Sequence, residues 1–398
     1  MRADTTTASG APGGQRLSPP TLAAVDLAVA LRAAASRAGL AGMGFASAEP
    51  FRDSRQALEE RKASGLHGGL RFTYADPARA CDPRASAPWA ESLVVAAYAY
   101  LPASGSPGPA APGTGRVARF ATGDHYAPLR AGLAVLAGVL EGAGCRAEIR
   151  CDDSRLLDRA SAVRAGVGWW GKSTMVLAPG HGPWLLLGAV VTDAALPGGS
   201  PMARDCGTCD ACLPACPTGA LVAPGILDAR RCLAALAQLP GPIPREWRPA
   251  MGDRVYGCDE CLEACPPGRR RLLAAGVTGR GRVRLLDLLA ADDEALLRRF
   301  GHFYLPGRQP RYLRRNALVA LGNAGGEGSV ECAAGFLAGG DPLLRAHAAW
   351  ALGRLGGPAA RAALQEGAAG EADVAVAEEI ALALAGDAGP AGGRGSVP

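Results

Sequence analysis

The chain has 398 residues, 48% of them hydrophobic, which is enough for two or three domains with cores of their own and excludes a disordered scaffold. The longest apolar runs, such as residues 92–101 and 184–191, are about half of what a helix needs to cross a bilayer, so no membrane span is encoded. Net charge is only +5, yet twelve arginines against four acidic residues fall between Gly268 and Arg315, a cationic run of the kind that can hold a phosphate backbone.

Residues 1–20 and 387–398 are rich in Gly, Pro, Ala and Ser and read as disordered tails. The first tail has no apolar core of a secretory signal, so a cytoplasmic protein is expected; a monomer is expected without any residue pattern that dictates it. Residues 21–200 alternate between the two periods: a helix over 22–38, a buried strand over 92–100, a helix over 129–143 and a strand over 184–192. That alternation implies an α/β domain, a sheet covered by helices, interrupted by a soft Pro/Gly/Ser loop at 103–115.

Two stretches of this domain carry chemistry. Cys151-Asp152-Asp153-Ser154-Arg155 puts two carboxyls side by side. Either can cap a helix, and either, if held near an apolar redox centre, would have a raised pKa and serve as a proton donor. Arg164-Ala-Gly166-Val-Gly168-Trp169-Trp170-Gly171-Lys172-Ser173 offers three glycines whose backbone can lie against a flat or anionic ligand, or can simply make a tight turn.

Residues 201–272 contain eight of the twelve cysteines in one array: Cys206, Cys209, Cys212 and Cys216 in C-x-x-C-x-x-C-x-x-x-C-P, then Cys232, then Cys258, Cys261 and Cys265 in C-x-x-C-x-x-x-C-P. A C-x-x-C-x-x-C triplet wraps three corners of a four-iron cluster, and the cysteine before the proline reaches across to the other cluster. The second run is one ligand short and Cys232 supplies it. The expected sets are therefore Cys206, Cys209, Cys212 and Cys265 for one 4Fe-4S cluster, and Cys216, Cys232, Cys258 and Cys261 for the other, in a ferredoxin-like double-cluster insert ordered by its metal. Zinc, which favours paired knuckles, suits this spacing poorly. Cys81, Cys145, Cys151 and Cys332 fit no ligand spacing and read as small buried hydrophobes.

Over residues 273–386 the pattern becomes helical and repeats. Arg314-Arg315-Asn316-Ala-Leu-Val-Ala-Leu-Gly322 recurs 31 residues later as Arg345-Ala-His347-Ala-Ala-Trp350-Ala-Leu-Gly353, with a weaker third copy at 375–384, a short α-solenoid of HEAT-like repeats. Arg311, Arg314, Arg315 and Asn316, with Arg345 and His347 at the matching place, are the candidate contacts to a phosphate backbone, and pairing with acids between repeat helices is the competing reading. The expected whole is an α+β multi-domain protein.

The motifs in order, Asp152…Leu157-Asp158-Arg159…Arg164 to Lys172, the cysteine array, Leu227-Asp-Ala-Arg-Arg-Cys232, Tyr256-Gly-Cys258-Asp-Glu-Cys261 and Arg315-Asn316-Ala-Leu-Val-Ala-Leu-Gly-Asn323, resemble the epoxyqueuosine reductases over residues 67–356. The resemblance implies a cobalamin in the α/β domain fed by the two clusters, an anticodon stem-loop of tRNA on the repeats, and an external electron donor such as flavodoxin or ferredoxin. It implies removal of the epoxide oxygen of the modified wobble base. It places the proton donor on Asp152, and the corrin and substrate pocket at Asp152, Arg159, Gly168, Trp169, Gly171, Lys172 and Ser173, with no protein histidine on cobalt. The chain departs from the family at His125 and Ala127, at Leu70, Thr73 and Ala75, and at Ser173, which implies an altered substrate pocket. A reductive dehalogenase-like enzyme and a non-catalytic electron-transfer adaptor are the alternatives.

Overall fold

The computed structural model describes residues 22–101, 112–277 and 279–386; the two tails and most of the 103–115 loop lie outside the described residues. Four strands lie side by side in the order Gly42–Ser47, Ser92–Ala99, Leu185–Thr192, Ala147–Cys151. All neighbours are antiparallel, a detail that the alternation of helix and strand in the sequence leaves open. Both faces of this sheet are covered, which is why its strands read as unbroken apolar runs. Val94, Ala96 and Val190 meet Leu31, Leu129, Leu133 and Leu136 of the helices Leu22–Arg37 and Tyr126–Gly142. Leu93, Val95, Ala189 and Val191 meet Leu58, Ala160 and Ala162 of the helices Arg52–Ala63 and Asp158–Arg164. The edge strand Ala147–Cys151 thus ends beside the short helix Asp158–Arg164, and the turn between them presents Asp152.

A second, three-stranded sheet ties the segments together. Its central strand, Thr114–Val117, comes from the first domain, and its neighbours are Arg254–Tyr256, just ahead of Cys258, and Gly281–Arg284, just ahead of the repeats. Leu233, Leu236, Ile243, Met251 and Val255, from the segment between and after the cysteine runs, share one core with Leu313, Ala317, Leu321 and Trp350 of the repeat helices. The cluster insert and the solenoid are therefore packed as one body.

The repeat helices are Arg311–Ala324, Ser329–Leu337, Pro342–Leu355, Gly357–Ala368 and Val374–Leu384. Gly322 and Gly353, equivalent in the repeat, mark where consecutive inner helices cross. A Cβ on Gly322 would stand 2.9 Å from the Ala351 Cα, and one on Gly353 would stand 2.8 Å from the Ala383 Cβ.

The expected phosphate contacts need correction at three positions. Arg315, Asn316 and His347 are fully buried. The Arg315 guanidinium donates to the carbonyls of Leu236, Ala237, Leu239 and Gly241 and to Asn316 Oδ1. Burial pushes its pKa down to about 9, and these carbonyl dipoles hold it cationic at neutral pH. Asn316 Nδ2 donates to Ala237 O at 2.9 Å and to Val255 O at 3.0 Å. The His347 ring accepts from the Ile243 N–H at Nε2 and meets Leu343 O at Nδ1, an arrangement of the neutral ring, and desolvation holds its pKa far below the usual value. These three side chains fasten the repeats to the cluster insert, and no nucleic acid reaches them. Arg311, Arg314 and Arg345 are partly open but paired, with Asp341, Asp293 and Glu371. Much of the cationic run is consumed in the same way: Arg280 pairs with Glu260 and Glu263, and Arg282 with Asp253.

Candidate redox and acid site

The sulfurs that influence one another most follow the grouping expected from the spacing. Burial raises the Cys212 thiol to about 11, and the neighbouring sulfurs that add to this are Cys206, Cys265 and Cys209. Cys261 is pushed up by burial and then by Cys258, Cys232 and Cys216, with Cys212 a weaker neighbour. Sulfurs packed together and desolvated cannot be thiolates unless something positive stands between them, and iron is that charge. Among the described residues no three His, Cys, Asp or Glu side chains close on a single ion. A cubane stands between its ligands and holds them further apart than one zinc would. The Ala220 N–H points at Cys216 Sγ at 3.2 Å, the kind of hydrogen bond that tunes a bound cluster. Exposure is unequal: of the eight, Cys209 is exposed, while the whole second quartet is partly covered.

The second quartet is close in sequence to a group of coupled acids and phenols. Tyr256 lies two residues before Cys258, and its phenol is raised first by burial and further by the Asp152 carboxylate. Tyr126 is raised by burial, then by Asp152 and Asp158. Asp152, Asp158, Tyr126 and Tyr256 are therefore electrostatic neighbours. Asp152 is an exposed residue, yet desolvation is the largest influence on its carboxyl and raises its pKa, with Arg130 opposing and Asp153 adding. Its carboxylate accepts no hydrogen bond among the described residues. Asp153 is the opposite case. Desolvation would raise it, but Arg155 grips it through N, Nε and Nη2 at 2.6 to 3.1 Å and its pKa falls below the ordinary value.

Asp158 is the residue that the sequence reading passed over. Burial raises its carboxyl to about 6, Arg159 opposing and Asp152 adding. An acid at the first position of a helix looks like a charge on the helix dipole, so no sequence signal distinguished it.

Backbone strain gathers here too. The non-glycine residues with positive φ among the described residues are Asp152 at 53°, Thr174 at 68° and Arg308 at 53°. Such positions cost on the order of 1 to 3 kcal/mol and cluster at functional sites. Thr174 is tied to the pocket by a long bond from Arg159 Nη1, at 3.5 Å. Arg308 follows Tyr304, 60% exposed, whose backbone N–H donates to Tyr256 Oη at 2.8 Å.

The glycine-rich stretch proves mainly structural. Trp169–Trp170 pairs with Val176–Leu177 in a hairpin. A Cβ on Gly168 would stand 2.4 Å from Leu177 O, and one on Gly171 2.2 Å from Leu177 Cδ1, so both glycines are required by packing. The Lys172 ammonium donates to Gly207 O at 2.8 Å in the first-cluster loop. Ser173 is buried. The buried indole N–H of Trp169 finds no acceptor among the described residues. A corrin, fringed with amide oxygens, would fit that donor. A separate cavity of about 580 Å³, lined by Phe51, Arg52, Arg55, Asp76, Arg79, Cys81 and Asp82 among others, includes none of the eight cysteines of the array.

Two groups of cysteines spaced for iron–sulfur clusters place the chain among the iron–sulfur oxidoreductases. The sequence matches the model of a 4Fe-4S double cluster binding domain over residues 205–268 and of HEAT repeats over residues 305–385. Epoxyqueuosine reductase of Bacillus cereus is 30% identical over 360 residues, covering 86% of this chain and 92% of the relative. That of Escherichia coli K12 is 36% identical over 258 residues, 61% of this chain and 66% of the relative. Among solved structures, an epoxyqueuosine reductase with a tRNA-Tyr epoxyqueuosine-modified stem loop superposes with a TM-score of 0.84 at 30% identity, covering 92% of this chain and 99% of the other. The Bacillus subtilis enzyme, captured with its catalytic aspartate loop swung out of the active site, gives 0.83 at 30% identity over 91% and 99%. The chain belongs to the epoxyqueuosine reductase family.

Proposed function

We propose that this chain deoxygenates epoxyqueuosine to queuosine at the wobble position of tRNA, with Asp152 delivering a proton to the departing oxygen. Two electrons and two protons convert the epoxide oxygen to water and leave the alkene. The observation that carries the assignment is the contrast at the end of the Ala147–Cys151 strand: Asp153 is consumed by Arg155, while Asp152 is strained, unpartnered and raised by desolvation. A carboxyl held toward its neutral form is a competent general acid near neutral pH.

Cobalamin, when bound, supplies strongly nucleophilic reducing chemistry that no side chain offers. Asp152, Tyr126, Asp158 and Tyr256 would border it, Trp169 would hold one of its amides, and Arg159 would brace the Thr174 turn beside it. An external carrier of the flavodoxin or ferredoxin type supplies electrons one at a time to the clusters.

For the RNA, Tyr304 and Arg308 on the pocket rim take the place of the buried Arg315, Asn316 and His347. An exposed tyrosine offers a stacking face to an unpaired base, and Arg308 a fork for phosphate. Arg311, Arg314 and Arg345 reach RNA only by exchanging their acidic partners.

The test is turnover of an epoxyqueuosine-containing stem-loop by protein reconstituted anaerobically with iron, sulfide and cobalamin. Asp152→Asn should keep the iron content and corrin absorbance and lose roughly a hundredfold to ten-thousandfold in rate. A native rate from that variant would overturn the role of Asp152. Clusters without corrin binding would instead favour an electron-transfer adaptor.

A further inference from the structure

We infer that electrons enter through a basic patch around Cys209, built on the helix Pro266–Ala274, which docks a small acidic protein carrying a one-electron centre. The inference rests on the reductase reading above, because it needs the first quartet to hold a cluster.

Three observations converge. Cys209 is the exposed member of the eight ligand cysteines, and residues 203–210 around it are almost all open to solvent. The first quartet alone has an exposed member, although its Cys212 is buried, whereas no cysteine of the second is exposed and Tyr256, two residues before Cys258, feels the Asp152 charge, so the relay has an outer and an inner end. Electron transfer falls steeply with distance, and the outer end is where a partner can come close. Secondly, Cys265, a ligand of the outer quartet, is the N-cap of the Pro266–Ala274 helix, and the Arg269 N–H closes onto its carbonyl at 2.7 Å. That helix presents Arg269, Arg270 and, one turn on, Leu273 to solvent, Leu273 at 71% exposure.

The third observation is charge. Most arginines in this part of the chain are paired, as Arg280 and Arg282 show, whereas Arg269 and Arg270 meet no acidic partner among the described residues. Arg270 lies close enough to the Cys265 sulfur to be felt by it, as do Cys206 and Cys209. Lys172 bonds Gly207 O between Cys206 and Cys209, and Arg204 stacks on Trp169 next to it. The opposing carboxylates are Asp205, which accepts from the Gly207 N–H, and the exposed Asp210. Counting Lys172, Arg204, Arg269 and Arg270 against Asp205 and Asp210, the rim is positive by two. A basic rim with one exposed leucine beside a redox centre fits an acidic carrier, steered by charge and released easily because the contact is small. The step moves one electron from the reduced carrier to the outer cluster and breaks no bond.

The experiment uses the full chain with clusters reconstituted and reduced flavodoxin as the acidic probe. Bleaching of the cluster absorbance is followed by stopped flow at several salt concentrations, and binding of oxidised flavodoxin by calorimetry. For the wild type the bimolecular rate should fall as salt rises. Arg269→Glu/Arg270→Glu should lower the low-salt rate at least tenfold, flatten its salt dependence and weaken binding, while Arg269→Lys/Arg270→Lys keeps most of both. Photoreduced deazaflavin, a small donor that needs no docking, should bleach all three proteins equally. Native rate and salt dependence in the glutamate variant would overturn the docking surface. Absence of iron, or no bleaching by deazaflavin, would overturn the cluster reading itself and the docking surface with it.

Discussion

Asp152 and Asp153 are neighbours with opposite fates, and the difference is made by Arg155, whose fork closes on one and leaves the other to the pocket. Nothing in the order of residues reveals which carboxyl an arginine two positions on will choose. The resemblance pointed to Asp152, and the geometry supplies a reason for it. Asp158 extends the same logic. Its carboxyl, at about 6 in the folded protein against an ordinary 3.8, binds more protons folded than unfolded between those values. The stability it contributes is present below about 3.8 and lost as pH rises through about 6. Wild type should therefore lose stability relative to Asp158→Asn as pH rises from about 4 to about 6, read as a widening gap in urea midpoints. A gap that stays constant over that range would mean that the carboxyl is solvated.

At the scale of elements, the repeat was legible because its period is carried by the core face of the helices, and that same face misled the search for RNA contacts. Arg315, Asn316 and His347 recur with the apolar positions around them because they are part of the buried face, satisfied by carbonyls of the 236–243 segment. Their polarity suggested a surface that their period did not. Asn316→Ala should leave the Ala237 and Val255 carbonyls and part of the Arg315 fork unsatisfied, costing about 3 kcal/mol. Thermal unfolding would show this, while stem-loop affinity at low temperature and its salt slope should be unchanged. Arg308→Ala should do the reverse, leaving the melting temperature nearly unmoved and reducing the salt slope by about one. Loss of affinity from Asn316→Ala without loss of stability would return that face to the RNA interface. The cysteine array was readable because ligand spacing is a local constraint. Lys172 was not, since its partner, Gly207, lies in another segment.

At the scale of the molecule, the three expected domains follow one another in sequence but interlock in space, and the device is a four-residue strand. Thr114–Val117 emerges from a Pro/Gly/Ser loop with no apolar alternation to announce it, then pairs on one side with Arg254–Tyr256 and on the other with Gly281–Arg284. A Cβ on Gly115 would stand 2.5 Å from Val255 Cγ2 and 2.7 Å from Leu285 Cδ2, so only glycine lets these parts close. The consequence concerns metal and folding together. Cys258 and Cys261 follow directly on the Arg254–Tyr256 strand, and Val255 shares a core with the Arg311–Ala324 helix. Binding energy from the inner cluster is folding energy for whatever its ligands are built into. Removing iron, or Cys261→Ser, should therefore speed amide exchange in Thr114–Val117, Gly281–Arg284 and the first repeat helix, while the central pair Ser92–Ala99 and Leu185–Thr192, packed on both faces by helices of the first domain, stays protected. Hydrogen exchange confined to the residues between Cys206 and Cys265 would show a metal-dependent insert that folds by itself, and the interlock would then carry no energetic coupling.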